Sequence, residues 1–119
     1  MDNTEEIYLQ HYQTLQEILE QNEAFTNVKD LKKIVMQLLK YLQSFNIDNL
    51  SISETEDCEI LLYSSHFETS RNLIIDNDGN ITFFYLDKQD VNGCYQQNFY
   101  QTEGYNLLNV ANLLTYNGV

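Results

Sequence analysis

The sequence predicts an α+β domain in the order ααβββββα: an N-terminal helical hairpin, an antiparallel β-meander of four to five strands, and a C-terminal helix. Three observations carry this. Apolar residues recur at three and four residues from Ile7 to Phe45, the period drops to two from Leu50, and helical spacing returns after Thr102. The chain has 119 residues, which suits one domain spanning positions 1–119.

Asp2 or Asn3, with Glu5 or Glu6 three residues on, makes a capping box for a first helix of about 18 residues that ends near Asn22. Its apolar stripe runs through Ile7, Tyr8, His11, Tyr12, Leu15, Ile18 and Leu19. Thr26 or Asn27 caps a second helix in which Val28, Leu31, Ile34, Val35, Leu38, Leu39, Leu42 and Phe45 repeat without a gap. The short polar link between them predicts an antiparallel pair. The strands follow as "LSISE", "CEILLYSS", "NLIID" and "ITFFYLD", with "CYQQNFY" as a fifth. Thr102 is expected to cap the last helix, with Leu107, Leu108, Ala111 and Leu114 on one face and Gly118 as its stop.

Eighteen acidic residues stand against six basic ones, a net charge of −12. That balance repels nucleic acid and anionic membrane surfaces, so neither is expected as a direct partner. No apolar run approaches a membrane span of roughly 18 residues, and the acidic start is unlike a signal peptide. Cys58 and Cys94 are too far apart for a CxxC motif and read as reduced thiols in a cytoplasm.

The stretch "LIIDNDGNITFFYLD" places Asp76, Asp78 and Asn80 like the first ligands of a calcium loop. The loop's sixth position needs Gly and its twelfth Glu, between helices. Here those positions are Ile81 and Asp87, and the flanks alternate like strands, so Asn77-Asp78-Gly79-Asn80 reads as a hairpin turn with no metal. Pairing Cys58 or Cys94 with His11 or His66 lacks any nucleophile signature, and His66 with Glu68 lacks a third ligand. There is no phosphate-binding Gly motif. The expectation is a protein that is not an enzyme and needs no cofactor.

Charge is unevenly placed. Residues 27–46 carry four Lys against Asp30, a net +3, so the remainder carries −15. Lys29, Lys33 and Lys40 form a ridge on the second helix opposite its apolar arc. Turns of a meander alternate between the two ends of its sheet. One end therefore collects Glu54, Glu56, Asp57, Glu59, Asp76 and Asp78, the expected partner-binding residues. Like charges held together are maintained most readily when a basic surface meets them.

Acidic, Asn-rich, built of helices and a short antiparallel sheet, and containing "LIIDNDGNITFFY", the chain resembles small phage-encoded anti-CRISPR inhibitors of the DNA-mimicking kind. It equally resembles bacterial toxin-immunity proteins, the likeness covering the architecture and residues 71–86. The resemblance implies an inhibitor in a bacterial cytoplasm that occupies the basic surface of a nucleic-acid-handling protein such as a CRISPR effector or another defence nuclease. Two alternatives stay open: an adaptor that also uses the lysine ridge, and a small ligand-binding domain with a cavity between helices and sheet. A homodimer pairing through the "CYQQNFY" edge is a further expectation.

Overall fold

A computed structural model describes residues 3–66, 68–90 and 92–115. Helix α1 spans Asn3–Gln21 and α2 spans Val28–Ser44, both following the apolar periodicity. Asp2 and Gly118, an expected cap and the expected stop, lie outside the described residues. α2 ends where Asn46 takes a left-handed φ of 59°. Asn46 N then donates to Gln43 O and Ile47 N to Leu42 O, so two terminal carbonyls that would be orphaned are satisfied. Asn tolerates that backbone better than most side chains, which explains why the helix stops there.

The sheet is a five-stranded antiparallel meander in sequence order: β1 (Leu50–Glu54), β2 (Ile60–His66), β3 (Thr69–Ile75), β4 (Ile81–Asp87) and β5 (Cys94–Phe99). Alternation divides it into two unlike faces. Leu50, Ile60, Leu62, Leu73, Ile75, Ile81 and Phe83 point to the helices and are buried with Leu15, Leu31, Leu38, Leu39 and Leu42 in one cluster. On the opposite face the register aligns three cross-strand rows: Ser53, Leu61, Ile74, Thr82 and Asn98; Ser51, Tyr63, Asn72, Phe84 and Gln96; Ser65, Ser70, Leu86 and Cys94. None of these strand residues is charged.

After β5 the chain departs from expectation. Gln101–Glu103 form one 3₁₀ turn, Gly104 has φ 69°, and α3 covers only Leu107–Asn112. Asn106 rather than Thr102 caps it, its side chain accepting from Leu108 N at 2.9 Å. Ala111 and Leu114 are buried as expected, but Val110 takes the core position and Leu108 remains 41% exposed. Leu107, Val110, Ala111 and Leu114 keep the i, i+3, i+4, i+7 spacing of one helical stripe, which leaves Leu108 off it. α2 likewise lacks a cap from Asn27's own side chain.

Two hairpins at one end of the sheet share a connection. Thr55 N donates to Glu59 O and Cys58 N to Thr55 O; Asp76 N donates to Asn80 O and Gly79 N to Asp76 O. The fourth residue of each is left-handed, Cys58 at φ 59° and Gly79 at φ 87°. A Cβ on Gly79 would sit 3.1 Å from Ile34 Cδ1 and 3.3 Å from Gln101 Oε1. Gly79→Ala is therefore expected to destabilise by about 1–3 kcal/mol, from backbone strain and crowding together. Cys58→Gly relieves the same strain and is expected to cost less than about 0.5 kcal/mol or to stabilise. Denaturant melts of both variants check the contrast; equal losses would contradict it.

Candidate functional site

The two matched turns build the acidic end of the molecule. Thr55 Oγ1 accepts from Asp57 N and Glu59 N, each at 3.3 Å, and donates to Glu59 Oε1 at 2.9 Å. Asp76 fills the same role in the β3–β4 turn: its Oδ1 accepts from Asp78 N and Asn80 N, both at 2.9 Å. A short oxygen-bearing side chain at the first turn position is what this connection requires, because it satisfies amides that no strand can reach.

Neighbouring segments tie both turns down. Asn22 Nδ2 donates to Glu54 Oε2 at 2.9 Å, joining the end of α1 to β1. Asn77 donates to Ala24 O and Thr26 Oγ1 and accepts from Thr26 N, so the β3–β4 turn holds the link between the helices. Tyr105 donates to Gly79 O at 2.6 Å, and Gln101 N to Asn80 Oδ1 at 3.0 Å. Burial first, and then the Asp76 carboxylate, raise the Tyr105 hydroxyl above its usual range, so it stays a donor at every physiological pH.

The six expected acids therefore divide. Glu54, Glu59 and Asp76 spend carboxylate oxygens on internal hydrogen bonds. Glu56, Asp57 and Asp78 are exposed on the turn crests, roughly two strand spacings or about 10 Å apart. The N-terminus of α2 starts beside this end, because Asn77 accepts from the N–H groups just before it. Its partial positive charge offsets some of the repulsion between the carboxylates.

Lys29, Lys33 and Lys40 are exposed along α2. The ridge begins at the acidic end, and Lys40 lies about 16 Å further along the axis. Basic and acidic groups are thus closer than their separation in sequence suggests. Beside Lys33, an open hollow of about 330 Å³ is lined by Asp30, Ile34, Gln37, Gln101 and Leu107. A second, of about 340 Å³, lies between Arg71, Phe83, Tyr85, Tyr95 and Leu113. There the Arg71 guanidinium sits 5.2 Å from the Tyr85 ring centroid and donates to Leu113 O.

The Cys and His residues do not assemble. His66 and Cys94 lie on opposite faces of the sheet. Cys58 is at the turn end of the β1–β2 hairpin, whereas His11 packs edge-on to Tyr8 near Leu50, at the other end of β1. Among the described residues no group of three His, Cys, Asp or Glu side chains is placed to hold a metal ion, and no helix is long and apolar enough to cross a membrane.

Sequence reasoning did not single out Thr55 or Tyr105, and it read Asn77 only as part of a hairpin turn. The first had a readable signal, since Thr55-Glu-Asp-Cys-Glu and Asp76-Asn-Asp-Gly-Asn occupy equivalent places between strands. Asn77 and Tyr105 act across 50 and 26 residues of chain respectively, and no local pattern encodes that. The architecture defines a small α+β domain with a one-sided helical layer. Comparison with protein-family models, curated proteins and solved structures returned no match.

His11 makes one consequence measurable. Its Nε2 is buried without a hydrogen-bond partner, and burial lowers its pKa below 6.5, opposed by the Leu50 backbone. The unfolded chain thus binds a proton first as pH falls. The stability this neutral imidazole contributes is complete above pH 6.5 and is lost as pH falls toward the lowered folded value. Thermal midpoints measured from neutral to mildly acidic pH are expected to fall more steeply for the wild type than for His11→Gln. Parallel curves would contradict the assignment.

Proposed function

We propose that the chain is a protein-binding inhibitor that presents its acidic sheet end to a basic, nucleic-acid-handling partner in a bacterial cytoplasm. The observation that supports this reading most is the division among the acids. Glu54, Glu59 and Asp76 anchor the turns, and the anchored turns hold Glu56, Asp57 and Asp78 out to solvent. Carboxylates on fixed backbone lose little conformational freedom when they meet Lys or Arg, so more of the Coulomb attraction reaches the binding free energy.

A surface of this kind competes with phosphates for a basic groove and speeds encounter at low salt. Blocking a defence nuclease and neutralising a toxin both use that chemistry. The two differ only in which protein carries the groove.

The test separates display from anchoring. Glu56→Lys, Asp57→Lys and Asp78→Lys combined are expected to weaken capture of a basic partner from bacterial lysate by at least about a hundredfold. The thermal midpoint should move little, because exposed charges contribute little to folding. Asp76→Ala is expected to lower stability by about 1–2 kcal/mol, chiefly through the loss of the two backbone hydrogen bonds to its Oδ1. Unchanged capture by the triple variant would contradict the reading.

A further inference from the structure

The outer face of the sheet is a surface that the acidic character of the chain leaves untouched. Among the described residues, its strand positions carry no charge, although the whole chain holds 24 charged residues, 18 acidic and six basic. Leu61, Tyr63, Ile74, Phe84 and Leu86 form its centre, and none of them packs against the helical core. Hydroxyls on β1 and amides on β5 flank this band. Asn72, between Tyr63 and Phe84 in the middle row, is only 6% exposed; its amide is used internally, donating to Ser70 Oγ and Phe84 O. An apolar, aromatic centre with a neutral polar margin has the composition of an interface core rather than of a solvated sheet face.

We propose that this face is a homodimer interface that closes on the same face of a second copy. Charge selects the occupant. A basic partner is drawn to the carboxylate-bearing turns and finds no counter-charge here, whereas another copy of a −12 chain is repelled at the acidic surfaces and meets no like charge on this face. Size agrees. Five strands about 4.8 Å apart and six residues of about 3.3 Å rise give a footprint of roughly 500 Å² per copy. A face-to-face pair then covers about 1,000 Å² or more, enough for a specific contact.

Electrostatics also chooses the arrangement. A two-fold axis across the strands, through the Tyr63–Asn72–Phe84 row, sends the two acidic turn ends in opposite directions and stacks the aromatic row on its own copy. Both acidic ends then remain free.

Sedimentation equilibrium of the full chain, from about micromolar to about millimolar concentration and at low and high salt, tests this. The expected species at high concentration has twice the 14.0 kDa chain mass. Salt should strengthen the pair, by screening like charges, while it weakens capture of a basic partner. Tyr63→Lys combined with Phe84→Lys is expected to shift the monomer–dimer midpoint upward by at least a hundredfold. Leu86→Lys alone, at a side chain already 41% exposed, should shift it by about tenfold without loss of fold. A wild type that stays monomeric at the highest concentration and salt overturns the proposal. So does a dimer whose midpoint neither variant moves, which would put the contact elsewhere, as at the β5 edge.

Discussion

The β3–β4 turn ties two distant segments of the chain, the α1–α2 link and the stretch before α3, to one end of the sheet. Asn77 holds the link between α1 and α2, Gly79 receives the Tyr105 hydroxyl, and Asn80 receives the backbone of Gln101. Helices packed only through apolar side chains slide at modest cost, because dispersion and hydrophobic contacts are not directional. Hydrogen bonds from one fixed turn to the start of α2 and to the segment before α3 remove that freedom. The same turn needs Asp76 inside it and leaves Asp78 outside, so anchoring the helices and displaying charge are two results of one geometry.

Much of this was legible in the sequence where structure is local. The three- and four-residue spacing from Ile7 to Phe45 marked both long helices, and Asn-Asp-Gly between alternating strands marked the hairpin turn. The C-terminal helix was harder, because Thr102 and Asn106 are both good caps and only the left-handed backbone at Gly104 separates them. Cys58 in a left-handed conformation has no sequence signal of its own, since that residue type rarely adopts it. The uncharged face was readable as alternate positions along each strand once the register was known.

The molecule thus segregates its surface chemistry in a way that sequence order obscures. Acids gather in turns, where exposed side chains add little to stability, and the lysine ridge starts beside them on α2 rather than at a remote pole. The open sheet face is left neutral. The two proposed contacts use these unlike surfaces, and screening acts on them in opposite senses.

The most direct test of the fixed acidic frame is amide hydrogen exchange at the two turns, measured by NMR. If Thr55 and Asp76 organise them, the amides of Asp57, Glu59, Asp78 and Asn80 should exchange well below random-coil rates even though they lie in surface turns, and Asp76→Ala should release the last two. Exchange at random-coil rates in the wild type would contradict the claim that the carboxylates stand on a fixed frame.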